Sequence, residues 1–299
     1  MSTIDETLAL AAAHGLRLSA QGATMNEAGL DYRVVMASDP TARRWVLRVP
    51  RRADVSAGMS AEVRILDLVA PALAEEGVAA PDWQVRSPEL IAYPALPGVP
   101  GLTLSDAGEV DWHMDPASPD YAERLGRLLA RLHAITPAQA DAAGVEVRTP
   151  DQVRQSWRDD VARVSAAFTV SPVLTETWQA WLDDDTCWPE QTVMTHGEIY
   201  PAHVLLDEEG VITGILDWTT ARVDDPARDL SAQYGAAGDE LLQVTLTAYE
   251  QAGGRVHPGL AAQAKHLWDA APIGYGLYAL TTGAEGDLAA AAALLDPEP

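Results

Sequence analysis

A break at residues 93–98, Tyr-Pro-Ala-Leu-Pro-Gly, divides this 299-residue chain into two stretches of different periodicity. Pro94 and Pro97 remove backbone donors and Gly98 is free to turn, so neither a strand period nor a helix period runs through. Ahead of the break, residues 16–51 (LRLSAQGATMNEAGLDYRVVMASDPTARRWVLRVPR) read as three strands. Gly22 and the stretch 26–29 punctuate the first two, and Asp39-Pro40 marks the turn before the third. Residues 60–73 place Val63, Leu66, Val69 or Ala70, and Leu73 on one helical stripe, and strand-like runs follow at 83–85 and 89–93. Behind the break the pattern is helical at 121–135, from Pro150 towards Phe168, and at 172–181. Short strands at 204–206 and 212–216 flank the loop Asp207-Glu208-Glu209-Gly210, and from Asp239 the chain is helical again, interrupted by Gly253-Gly254 and Pro258. A sheet-rich first third and a helix-rich remainder predict a two-lobed α+β protein: a lobe at 1–96, a hinge near 93–98, and a helical lobe at 97–299. The cleft between lobes is the expected ligand site.

The formal net charge of −24 excludes some partners. Such a chain repels phosphate backbones and anionic lipid heads, so neither nucleic acid nor a membrane surface is expected. An acidic cleft could instead concentrate a cation. The single cysteine, Cys187, rules out an internal disulfide, and the start MSTIDETLAL is acidic where a secretory signal is basic. The expectation is a cytoplasmic protein, with a monomer as the default state.

Chemistry concentrates at residues 194–230, MTHGEIYPAHVLLDEEGVITGILDWTTARVDDPARDL. Phosphoryl transfer needs a carboxylate to accept the proton of the attacking hydroxyl, and ligands that hold Mg²⁺ against nucleotide phosphates. The protein-kinase loop H-R-D-L-x-x-x-N sets an acid and a metal-ligand side chain five positions apart, and D-F-G supplies a second acid. Here His196-Gly197-Glu198 is followed by His203 at that same offset, then a hairpin, then Asp217 in Asp-Trp-Thr. Any one of these elements alone would be weak: an isolated histidine is more often structural, and an aspartate after an apolar strand often caps a turn. Their order and spacing together predict a nucleotide-dependent kinase.

The chain resembles the macrolide 2′-phosphotransferases, antibiotic-resistance kinases with the aminoglycoside-phosphotransferase, protein-kinase-like fold. The resemblance spans the whole length. It is carried by NEAGLDYRVVMASD (26–39), WVLRVPRRADV (45–55), ELIAYPAL (89–96), LLARLHAI (128–135), WLDDD (181–185), residues 194–230 and AYEQAGGRV (248–256). It implies a small, mainly antiparallel nucleotide-binding lobe and a larger helical lobe holding the catalytic loop and the macrolide pocket. The activity it implies moves the γ-phosphate of GTP, with ATP as the other candidate donor, to the 2′-hydroxyl of a macrolide amino sugar. The neighbouring alternatives are a kinase of another amino-sugar alcohol, such as an aminoglycoside, and a weakly active nucleotide- or macrolide-binding variant.

By the same resemblance Glu198 takes the place of the catalytic aspartate, a change that keeps the charge and adds one methylene. Asp217 and His203 fall to the Mg²⁺ and phosphate side, and His196 and Asp229 support the loop. Arg48 ends the third strand where kinases of this fold carry a phosphate-binding lysine, with Glu62 as its ion-pair partner. Gln21 to Asn26 should cover the nucleotide, and Tyr93, Ala95 and Leu96 should meet the base. A macrolide pocket should be wide and apolar, with Tyr200, Trp268, Tyr275 and Tyr278 as wall candidates and Asp269 or Asp239 opposite the ammonium. His133, on an apolar helix face, reads as structural.

Overall fold

The computed structural model describes residues 3–27, 31–104 and 109–297. Part of the turn expected at 26–29 lies outside them. The described chain forms two compact units, one from residues within 1–115, 142–145 and 200–221, the other from those within 116–141, 146–199 and 222–299.

The first unit is built on an antiparallel sheet of β1 (Ser19–Asn26), β2 (Tyr32–Ser38), β3 (Arg44–Pro50), β4 (Val85–Ser87) and β5 (Leu90–Pro94), in the order β1-β2-β3-β5-β4. Gly22 does not end a strand, as the sequence suggests. It lies inside β1, where the register with β2 breaks between Ser19 and Thr24, and its φ of 72° suits an irregular stretch that an L side chain resists. One face of the sheet is covered by the helix Ile4–Ala13, whose Leu8 and Ala11 pack on Val35, Ala37, Trp45, Leu47, Leu90 and Ala92. That helix starts at a capping box in which Thr3 and Glu6 satisfy each other's backbone N–H groups at 2.6 and 3.2 Å.

The helix Ala53–Ala74 is longer than its predicted stripe and turned slightly from it. Its buried residues are Met59, Glu62, Ile65, Leu66, Val69 and Leu73, so Glu62 rather than Val63 faces inward. Further along the chain, the antiparallel hairpin Val204–Leu206 with Ile212–Ile215 belongs to this first unit, and Val99–Pro100 pairs on its other edge. Gly98 makes that approach possible: with φ 98°, a Cβ there would stand 2.7 Å from the Leu206 carbonyl oxygen.

The second unit is helical. Pro119–His133, Pro150–Ala167 and Pro172–Asp183 each begin with proline in the first turn behind a serine or threonine cap. The helix Arg228–Gln251 begins well before the predicted Asp239 and kinks at Gly238. Two strands too short to show a period, Val193–Thr195 and Arg222–Asp224, pair antiparallel and bracket residues 196–221. A cluster of Trp157, Trp181 and Trp188 anchors the unit, with Trp181 donating to Gln263 at 2.8 Å.

Candidate active site

In the first unit the site is organised by Arg48. β3 delivers this arginine into the interior at 6% exposure, where a lone guanidinium would be costly. Three neighbours offset that cost. Glu62 Oε1 stands 3.3 Å from one terminal nitrogen, Asp217 Oδ2 stands 3.5 Å from the other, and the guanidinium lies 3.9 Å from the centre of the Tyr32 ring. Burial alone would push the Arg48 proton affinity down, and Glu62 and Asp217 reverse that shift. Burial pushes the Glu62 carboxyl up to about 7 against the pull of Arg48. It also pushes the Tyr93 phenol up to about 12.

Asp217 follows the hairpin and holds φ 59°, one of two non-glycine residues with positive φ among the described residues. Such a backbone costs on the order of 1–3 kcal/mol, tolerated best by Asp and Asn, and collects at functional positions. Trp218 beside it is fully buried, its indole N–H donating to Ile215 O at 3.2 Å, while Asp217 Oδ1 accepts from the Thr219 hydroxyl at 2.7 Å. The Leu216 N–H donates to the His203 carbonyl at 2.8 Å, which ties the backbones of the two metal-side candidates together. The His203 ring stands edge-on to Tyr200 at 4.5 Å.

The loop His196-Gly197-Glu198 belongs to the second unit. Asp229 is fully buried and accepts from the His196 N–H at 2.9 Å, the Gly197 N–H at 2.5 Å and His133 Nε2 at 3.1 Å. Burial alone would raise its carboxyl, but the His133 hydrogen bond and the neighbouring histidines hold it below the ordinary range. Gly197 has φ 87° and lies against Arg228, so a Cβ there would fall 2.5 Å from the guanidinium. Arg228 is held in turn by Thr195 and Asp224, each at 3.4 Å. Glu198 is exposed, and its N–H donates to His196 Nδ1 at 3.2 Å.

Asp225, three residues upstream of Arg228, is fully buried between the Ala227 N–H at 2.9 Å and the Gln263 amide at 2.7 Å. Burial pushes its carboxyl up to about 7. The folded protein therefore holds this proton more tightly than the unfolded chain between about pH 4 and pH 7, and stability falls as pH rises through that window. Asp225→Asn should flatten the fall, measured as Tm against pH for the two proteins. Parallel profiles would show that Asp225 is already ionised when folded.

The remaining sequence candidates are dispersed. Gln21 and Asn26 lie at the broken-register part and the end of β1. Tyr93 is buried in β5 opposite Val46, and the Ala95 N–H donates to Arg44 O at 2.9 Å, so that donor is used within the sheet. Trp268 is 45% exposed and covers Gly235, with Asp269 beside it at the end of the helix Leu260–Asp269. Tyr275 and Tyr278 lie half-buried with ring centres 6.0 Å apart, and Asp239 pairs with Lys265. Sequence reasoning missed Tyr32, Arg228 and Tyr249. Only Tyr32 left a signal, as an aromatic paired with Pro50, two places from Arg48 and so on the same face of β2 and β3.

A family model described as the phosphotransferase enzyme family matches residues 23–262. The chain belongs to that family and is a phosphotransferase of the kinase-like fold. Within it, the crystal structure of macrolide 2′-phosphotransferase MphH from Brachybacterium faecium is 50% identical, with a TM-score of 0.91 over 99% of each chain. A structure of macrolide 2′-phosphotransferase type I is 43% identical, also with a TM-score of 0.91 over 99% of each chain. The Bacillus subtilis protein YcbJ is 39% identical over 94% of this chain and 92% of its own length. These likenesses bear out the resemblance to macrolide 2′-phosphotransferases and the α+β, kinase-like fold read from the sequence.

Proposed function

We propose that this protein transfers the γ-phosphate of GTP or ATP to the 2′-hydroxyl of a macrolide amino sugar, and that it thereby confers resistance to the antibiotic. The observation that carries the reading is Asp217. It is a carboxylate held in a strained backbone, against a buried Arg48–Glu62 pair, in a chain half identical to a macrolide 2′-phosphotransferase. In this reading Glu198 accepts the proton as the 2′-oxygen bonds to the γ-phosphorus, and the bond from that phosphorus to the bridging oxygen breaks to release the nucleoside diphosphate. Arg48, fixed by Glu62, neutralises the donor's phosphates, with residues 21–26 and the hinge residues Tyr93, Ala95 and Leu96 around the nucleotide. The first unit is then the donor-binding part, although it includes residues 200–221.

The residues present fit Mg²⁺. Among the described residues no three or more His, Cys, Asp or Glu side chains converge as a cage, and Mg²⁺ asks for none, since one or two carboxylates with substrate phosphates and water satisfy it. Asp217 supplies the carboxylate oxygens. His203, a softer donor, fits a hydrogen bond to a phosphate or a metal-bound water. When bound, the ion would neutralise charge on the transferring phosphoryl group.

The acidic chain suits a cationic amino sugar, with Tyr200, Trp268, Asp269, Tyr275 and Tyr278 as its proposed surroundings. The test is incubation with erythromycin- or josamycin-type macrolides and γ-labelled GTP or ATP, with an aminoglycoside panel alongside. Label should appear on the macrolide. Label on aminoglycosides and on no macrolide would overturn the acceptor, and label on neither would overturn the activity.

A further inference from the structure

We propose that His133 and Tyr249 are positioning residues for the catalytic loop, acting through Asp229 on the backbone N–H groups of His196 and Gly197. The inference rests on the loop's role in the activity proposed above. Its physical basis is a directed series of hydrogen bonds. An ionised carboxylate only accepts, so the His133 Nε2 that stands 3.1 Å from Asp229 carries a hydrogen. In the neutral ring Nδ1 is then an acceptor, and the Tyr249 hydroxyl 2.9 Å away is its donor. The series runs from the Tyr249 O–H through the imidazole to Asp229, which meets both loop amides, the second directly before Glu198. Each bond polarises the next.

Tyr249 is 1% exposed, His133 8%, and Asp229 and His196 are fully buried, so a partner lost beside Asp229 leaves a polar group largely shielded from solvent. The two rings are also fixed edge to face, with centres 5.3 Å apart. The orientation of the Asp229 carboxylate therefore sets where the Gly197 backbone stands, and with it the origin of the Glu198 side chain. Displacements of about 1 Å at a reacting group can cost about 10²-fold in rate, so a partial loss of this orientation should register in turnover.

Tyr249→Phe keeps the ring and removes the hydroxyl. With a macrolide and GTP, kcat should fall by about 5- to 10-fold while both KM values stay within about twofold, the pattern of a change felt in the transition state. Amide exchange at His196 and Gly197 should quicken by about 10-fold, reporting local loosening without any need for turnover. His133→Ala adds a second readout, because His133 and Tyr249 line a cavity of about 170 Å³ that admits a small ring. Imidazole, with its donor and acceptor, should restore turnover to this variant, and benzene, which only fills volume, should not.

Unchanged kcat and unchanged exchange in folded Tyr249→Phe would overturn the proposal. Equal rescue by imidazole and benzene would do the same, since it would leave packing alone as the role. If the wild-type protein phosphorylates no macrolide, the proposed activity fails, and the exchange comparison still decides whether the series holds the loop.

Discussion

Asp217→Asn should lower kcat by about 10²- to 10³-fold, the scale reached when a group aimed at developing charge is lost. Asparagine is the informative replacement because it also tolerates a left-handed backbone such as the φ of 59° here, so the chain path is kept while the charge is removed. The Thr219 hydroxyl can still bond to the amide oxygen, and Arg48 keeps Glu62 as its partner. Tm should therefore move little. Macrolide affinity, followed by calorimetry without nucleotide, should stay within a few-fold of wild type. Turnover within threefold of wild type would mean that Asp217 does not stand on the reaction path.

Glu198→Gln should cost about 10²- to 10⁴-fold in kcat, the range for loss of a general base. The side chain is exposed, where substitutions commonly shift stability by no more than about 0.5 kcal/mol, so Tm should move little. Glu198→Asp then separates two accounts of the longer side chain. If the extra methylene holds the carboxylate out of place, the shorter acid raises kcat by up to about 10²-fold. Should the backbone at Gly197 have adapted to glutamate, the aspartate variant is no faster. A Glu198→Gln protein with wild-type turnover would show that the proton leaves by another route.

Elements with a period or a strong end signal were legible in the sequence. The proline-led helices beginning at Pro150 and Pro172 start where their caps stand, and the hairpin around Asp207–Gly210 forms between the two expected strands. Elements defined by distant partners were not. Val193–Thr195 and Arg222–Asp224 are three residues each, too short for alternation to register, and exist because they pair with each other. The helix Ile4–Ala13 did carry a signal, Thr3 with Glu6, but its acidity drew attention to what the segment is not. For the candidate site, fixed spacing in the sequence pointed to Glu198, His203 and Asp217, and the family resemblance added Arg48. Tyr249 and Arg228 escaped because a buried tyrosine or a loop-packing arginine has no sequence period, only neighbours supplied by the fold.

Having arginine at position 48 fixes how this protein can be interrogated. Lys265 is the only lysine in the chain, and it is paired with Asp239 in the second unit. Amine-reactive nucleotide analogues, which label kinases through the phosphate-binding lysine, would meet no lysine in the first unit, where Arg48 takes that place in the proposed donor site. A guanidinium stays protonated near neutral pH and does not acylate under those conditions. If Arg48 holds the donor as proposed, profiling methods that recognise kinases by capture of that lysine would pass over this protein, and lysine acetylation would leave position 48 unchanged.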